Sequence, residues 1–548
     1  MLGTLPRPAC SVVGPFLGAL GDTAVRVCIG LPGTSHASVT CTLSGAGRSR
    51  AATATATHGA YRLFRFDFDD LDPDAEYHYS FAGDAPIDLE GLQPEELRFR
   101  PLGHTPKAAS FALATCNNPF ESGTDDQSAW ALWSRLGALL DGDDPPRLLV
   151  LAGDQVYHDV LEAEYIDKLE ASPRDRELLD DLRADLIENY QRYWGDLSLR
   201  RVVARVPSVA MWDDHDITDG WGGRLESFTA DDQFKPGWMA FFEAAREAFA
   251  AYQTSRNPAP LPGVPDGSFT SRLDWGDTSF FLCDFRSEKN SRKDQFWSRD
   301  QEAAFASSLR ACPAELVFLV SPVVPFRADP DHDARVTGLA KFAWQAQRAA
   351  ADTGSRLLKR TVDTLLRGIS WLVPLVDDLE DGLLAKNNRV SFLRLLDELF
   401  AKMADSRCDV VILSGDIHAA GISEFTRRTQ AARLCIPQIV SSPIAHEAMP
   451  ANIEGTSTTP REIALGDNGA LTARNGAFFP DRNFAVIRPG RLRDYGAGLP
   501  VAFYLDTHEA PIALPAYLAP AGWSSAEAGG ANAADDDNDD RSLPRTSR

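Results

Sequence analysis

Arg147-Leu148-Leu149-Val150-Leu151-Ala152-Gly153-Asp154-Gln155-Val156-Tyr157 is the stretch on which the fold turns. A short apolar run that breaks at Gly-Asp marks a buried strand ending in a loop. Cys408-Asp409-Val410-Val411-Ile412-Leu413 repeats the pattern before Ser414-Gly415-Asp416-Ile417-His418. Residues 206–211 repeat it less cleanly, because of Pro207, before Trp212-Asp213-Asp214-His215-Asp216. Loops at strand ends are where open α/β sheets place their chemistry. Taken singly, a Gly-Asp after a strand is an ordinary turn in which Asp bonds its own backbone. Three such breaks carrying carboxylates, a phenol and histidines are harder to explain that way. An Asp-Asp-His-Asp run resists joint ionisation and desolvation unless cations compensate it. The three loops therefore fit one metal cluster in an α/β domain.

Read with Thr115-Cys116-Asn117-Asn118, which follows an apolar strand at 110–114, these segments resemble the PhoD-like phosphatases. That group, the alkaline phosphatase D family, is a branch of the calcineurin-like metallophosphoesterases. The likeness is close for MWDDHDITDGWG and AGDQVYHD, and the parts come in the family's order. The resemblance implies an α/β fold of the metallophosphoesterase type, an αββα sandwich. It also implies roles: Asp154 bridges two metals, Cys116 takes the place of the first aspartate of Asp-x-His, and Tyr157 is a ligand. Asp214 replaces the asparagine of Gly-Asn-His-Asp/Glu, which makes His215 the catalytic histidine, held by Asp154 or Asp216. Asp416 and His418 stand in for the histidines of Gly-His-x-His, one on each metal. Leu282-Cys283-Asp284-Phe285-Arg286 resembles a family segment whose arginine faces the phosphate, a task suited to the planar guanidinium. Asn117, Asn118, Asp216 and Asp284 are then expected behind the ligands or beside the substrate. Cys283, inside its strand, is expected to be a core residue.

Ligand chemistry bears on the metals. Tyrosine has an unperturbed pKa of about 10, so a bound phenolate at neutral pH needs a strong Lewis acid. Cys116, Tyr157, Asp154 and His418 together suit Fe3+, with Zn2+ the rival. Asp154, Asp214 and Asp416 offer only oxygen and suit Ca2+, with Mg2+ or Mn2+ as alternatives. The family is similar in pairing iron with calcium. The histidine that the superfamily carries in a His-x-Pro strand is missing here, where the chain has Ser321-Pro322, and His332 is read as a loop residue. The implied activity is metal-dependent hydrolysis of phosphomonoesters, with His215 as acid and Arg286 as charge stabiliser. Phosphodiesters cleaved at the same centre, or a metal-binding interaction protein without turnover, are the alternatives.

Composition sets the limits. The chain has 548 residues, of which 44% are hydrophobic, enough for more than one domain with a large core. A formal charge of -23 excludes a broad nucleic-acid surface, although metals and Arg286 can reverse the sign locally for a small phosphate ester. Eight cysteines without CxxC spacing are expected as reduced, buried thiols. No stretch is long and apolar enough to span a membrane, and the first residues lack a cationic segment followed by an apolar one, so the protein is expected in the cytoplasm.

Along the chain, residues 1–105 are expected as an all-β, fibronectin-like sandwich domain, with strands at 23–29, 38–43, 51–57 and 61–68 and a tyrosine-containing turn at 71–79. His78 is expected on a strand surface. A linker near 102–106 leads to a catalytic domain over 106–520, with a charged helical stretch at 162–193 and a helical insertion at about 337–403. Residues 521–548, rich in Gly, Ala, Ser and Asp, are expected to be a disordered acidic tail.

Overall fold

The computed structural model describes residues 7–8, 10–33, 36–121, 127–326, 382–385, 388–406, 408–429, 433–448, 462–465, 470–490 and 499–516. The acidic tail, His332 and most of the 337–403 insertion lie outside the described residues. No helix among those described is long and apolar enough to cross a membrane.

Two mixed sheets face each other. The first is built around three parallel strands, β8 (Ser110–Ala114), β9 (Pro146–Ala152) and β10 (Ser208–Met211). The second is built around β12 (Thr278–Leu282), β13 (Leu316–Ser321) and β14 (Asp409–Ser414), also parallel. These runs are largely apolar and almost wholly buried because both faces are covered. Leu316, Phe318 and Val320 point between the sheets, while Val317 and Leu319 point the other way. Between the sheets Phe111 meets Phe280 and Phe318 edge-on, with centroids 5.1 and 5.0 Å apart.

Antiparallel strands complete both sheets. On the first, β19 (Asn483–Ile487), β20 (Leu499–Leu505) and β21 (Ile512–Ala516) extend outward from β8. On the second, β11 (Ser271–Trp275) flanks β12, and β16 (Arg433–Val440), β15 (Ala420–Arg428), β18 (Leu471–Phe479) and β17 (Glu462–Ala464) follow β14.

Helices cover the outer faces. On the first sheet lie α1 (Ala131–Leu139) and α4 (Leu197–Val203), with α2 (Asp159–Ala171), α3 (Arg176–Tyr193) and α5 (Pro236–Tyr252) packed together beside them. On the second lie α6 (Arg299–Ala311) and α7 (Arg389–Ser406). In α7 the residues Phe392, Leu395, Leu396, Leu399, Phe400 and Met403 recur at helical spacing and are buried against Val317, Leu319 and Cys283. Ser298 caps α6 and Asp175 caps α3, each accepting a first-turn N–H. The charged 162–193 stretch is indeed helical, as α2 and α3. The layers are helix, sheet, sheet, helix, the expected αββα sandwich.

The N-terminal strands also form a sandwich. One layer is β1 (Val13–Gly21), β2 (Ala24–Gly30) and β5 (Leu63–Phe68); the other is β4 (Arg48–Thr55), β3 (Ser38–Gly45), β6 (Tyr77–Gly83) and β7 (Arg98–Phe99). Val27, Ile29, Phe64 and Phe66 pack there with Val39, Cys41, Leu43 and Tyr79. Tyr77 closes the turn before β6 by accepting from the Asp72 N–H at 2.8 Å. His78 is exposed on that strand.

The sandwich is continuous with the first of the two facing sheets, because β1 pairs in parallel with β10 at Gly18 and Ser208. The buried Arg200 of α4 donates to the carbonyls of Gly14, Leu89 and Glu90, and the Tyr79 hydroxyl donates to the Ala204 carbonyl. The change near residue 105 is thus one of topology, not a break in packing.

Candidate metal centre

Every expected ligand follows the C-terminal end of a parallel strand: Cys116 after β8, Asp154 and Tyr157 after β9, Asp214 after β10, and Asp416 and His418 after β14. The chain turns sharply there. Cys116, Asp154, Asp416 and His418 have φ of 53°, 55°, 74° and 53°, a region non-glycine residues enter at a cost and which clusters at functional sites. The glycines before Asp154 and Asp416 permit close approach. A Cβ on Gly153 would lie 2.8 Å from the Asp213 Cβ, and one on Gly415 would run into Thr115.

Several expected site residues prove to hold the loops. The Asp216 carboxylate accepts from the backbone N–H of Asp154, Gln155, Val156 and Asp213 and from the Gln253 amide at 2.7 Å. It is spent on fixing the 153–156 turn and does not touch His215. Asn117 is buried, donating to the Gln155 carbonyl and accepting from the Trp133 indole at 2.9 Å. Asp284 accepts from the Trp212 indole at 2.8 Å and from the N–H of Phe269, Arg286 and Ser287. Asn117, Asp216 and Asp284 therefore act as framework. Asn118, partly buried, accepts from the Tyr193 hydroxyl at 3.1 Å.

Carboxylate oxygens of Asp154, Asp213 and Asp214 lie within 4.8 Å of one another, all buried. Asp154 Oδ1, Asp213 Oδ2 and the Tyr157 hydroxyl have no hydrogen-bond partner, although buried polar atoms ordinarily do. Cys116 Sγ lies 3.5 Å from Asp154 Oδ2 and 3.1 Å from Ser442 Oγ. Burial, then Asp213, holds the Asp154 carboxyl well above its usual range; burial, then Asp154, does the same to the Tyr157 phenol and the Cys116 thiol. Anionic donors so crowded retain protons unless a cation replaces them, an arrangement that a metal ion could relieve. The three carboxylates, with the Cys116 thiol beside Asp154 and a buried Tyr157 hydroxyl that has no partner, fit a metal centre. Asp416 acts electrostatically on Cys116, Arg286 and Lys289.

His215 is held by neither residue expected. Its Nδ1 lies 3.0 Å from Asp159, the first residue of α2, which also accepts from the Asp219 N–H at 2.7 Å. Burial opposes a charge on His215, but Asp159 and Asp214 outweigh it and raise its pKa well above the ordinary imidazole value. Asp159 closes the AGDQVYHD segment, so the signal lay in a motif already singled out.

The expectation for Arg286 changes too. Its guanidinium is fully buried, with Nε on Asp213 and Nη2 3.1 Å from Asp214. These contacts leave it a clamp on the acidic loop; Arg286 together with His215 pulls the Asp214 carboxyl down to about 2 against its burial. Pairing explains how neighbouring aspartates survive burial.

Asp213, Lys289 and His446 were missed. Lys289 is buried beside the aspartates, its pKa pressed far down by burial and then by Arg286. The His446 ring lies 3.9 Å from that of His418 and 5.5 Å from that of Tyr157, in a loop with no acidic motif to announce it.

The family description "PhoD-like phosphatase" matches residues 111–479. A solved structure of PhoD aligns over 95% of this chain and 94% of its own, at 14% identity and a TM-score of 0.52. A purple acid phosphatase from yellow lupin (Lupinus luteus) seeds aligns over 93% of this chain and 74% of its own, at 10% identity and a TM-score of 0.46. No curated protein matches the chain significantly.

Proposed function

The chain belongs to the PhoD-like phosphatase family, and from that premise we propose that it hydrolyses phosphate esters, phosphomonoesters first, at the Asp154 cluster. The observation that carries the proposal is the set of buried Asp154, Asp213 and Asp214 oxygens within 4.8 Å, beside Cys116 and a Tyr157 hydroxyl without a partner. Cys116, Tyr157, Asp154 and His418 would hold iron, and Asp154, Asp213 and Asp214, with Asp416 near them, would hold calcium or another hard divalent ion. When bound, these metals supply Lewis acidity to phosphate oxygens and a hydroxide nucleophile at neutral pH.

The chain's own residues do the rest. His215, charged and anchored through Nδ1 to Asp159, has Nε2 left to donate to the ester oxygen and to protonate the leaving alkoxide. Arg286 keeps Asp214 ionised and holds both Asp213 and Asp214 in place, so the acidic loop needs no reorganisation when substrate arrives. Asp216 fixes the backbone that presents Asp154.

The test is an assay of the full-length protein against p-nitrophenyl phosphate and bis-p-nitrophenyl phosphate, before and after chelation and with metals restored. Metal-dependent release that is faster from the monoester supports the proposal. Faster release from the diester assigns a phosphodiesterase, and hydrolysis of neither under any metal condition defeats both.

A further inference from the structure

We infer that His446 is a nitrogen ligand to the metal held by Cys116, Tyr157 and His418, and that Glu121 orients it. The inference rests on the phosphatase reading only for the presence of a metal in this cluster.

Position comes first. His446 lies in the loop after β16, and that loop is sewn to a candidate ligand: the N–H groups of Ala445 and His446 both donate to the Cys116 carbonyl, at 3.3 and 3.1 Å. The ring follows its backbone inward. Its centroid is 3.9 Å from that of His418, at 35°, and 5.5 Å from that of Tyr157, at 31°. The loop thus brings a second imidazole beside His418 and Tyr157, with its backbone held on Cys116.

Hydrogen bonding then selects the nitrogen. His446 Nδ1 lies 3.0 Å from the Glu447 carbonyl oxygen and 3.0 Å from Glu121 Oε2. A carbonyl oxygen only accepts, so Nδ1 carries the proton, and in the neutral ring Nε2 carries the lone pair. Glu121 also accepts from the Glu447 N–H at 3.3 Å, which ties the carboxylate to the same loop. An imidazole that donates one nitrogen to a carboxylate and a carbonyl, and keeps the other bare, has the arrangement that orients histidines on metals.

The probe is Co2+ alone, added to metal-stripped full-length protein and followed by equilibrium dialysis and visible absorption; a mixed sulfur, nitrogen and oxygen site takes Co2+ in preference to an all-oxygen one. His446→Ala should bind Co2+ at least about 10-fold more weakly and with an altered spectrum, and Glu121→Gln should weaken binding by about 10-fold, within the range for removing an orienting partner. Imidazole added to His446→Gly should restore binding. Tyr157→Phe is the control. If it weakens binding while His446→Ala keeps the parent's affinity and spectrum, the inference falls and the metal centre stands. A parent that binds no Co2+ defeats the inference and the metal reading together. Should His446→Ala lose its fold, Glu121→Gln decides, and unchanged Co2+ affinity in that variant overturns the inference.

Discussion

Asp159 shows how much one carboxylate decides. It heads α2, yet its side chain turns to His215 Nδ1 at 3.0 Å and to the Asp219 N–H, joining the β9 and β10 loops. Replacing His215 by Ala should lower kcat by roughly 100-fold or more, the scale of one lost acid-base group, with metal content unchanged. Asp159→Asn should fall between parent and His215→Ala, again with full metal content by elemental analysis. If Asp159→Asn matches the parent in kcat, the orienting role is wrong. The residue types of the site were legible because their clustering is costly without cations. Which carboxylate serves as ligand and which as framework was not, since Asp154, Asp159, Asp213, Asp214 and Asp216 differ only in what surrounds them.

At the scale of elements, the site is a set of strand ends pinned to one another. Asp216 does most of the pinning, taking four backbone N–H groups and the Gln253 amide of the segment that follows α5. Asp216→Ala would leave those donors buried without partners, so the native state should lose about 3 kcal/mol or more. It should also bind metal more weakly, because Asp154 loses its fixed backbone. Urea unfolding and metal analysis check both; a variant as stable and as metal-loaded as the parent would refute the framework role. Strands were readable as apolar runs: those expected at 23–29 and 61–68 are found at Ala24–Gly30 and Leu63–Phe68. Their pairing was not readable, because alternating apolar positions show which face of each strand is buried but not which strand lies beside it.

The whole molecule joins its N-terminal sandwich to the catalytic sheet through the β1–β10 pair and the buried Arg200. Deleting residues 1–105 would expose one edge of β10 and strip Arg200 of its acceptors, so the remainder should be insoluble or unfolded by circular dichroism. A soluble, cooperatively melting 106–548 fragment would show the opposite.

All eight cysteines are free and buried, and for Cys28 burial pushes the thiol from 9.0 up to about 12. Between those values the unfolded chain loses its proton first. Stability from this group is therefore complete below pH 9.0 and declines as pH rises toward about 12. Melting temperatures at about pH 8 and about pH 10.5 should fall less in Cys28→Ala than in the parent; an equal fall would remove the thiol from the alkaline limb.

From sequence alone came what depends on local order: apolar runs broken by Gly-Asp, the α/β class, the family resemblance and the candidate ligand types at Cys116, Asp154, Tyr157, Asp214, Asp416 and His418. Only the tertiary structure decided the partners. It moved His215 onto Asp159, turned Arg286 into a clamp on Asp213 and Asp214, brought His446 to His418 and fused the N-terminal strands to the catalytic sheet. The physical reason is separation. A strand break is set by adjacent residues, whereas a hydrogen bond between a loop near 120 and one near 446 exists only after distant strands have been packed side by side.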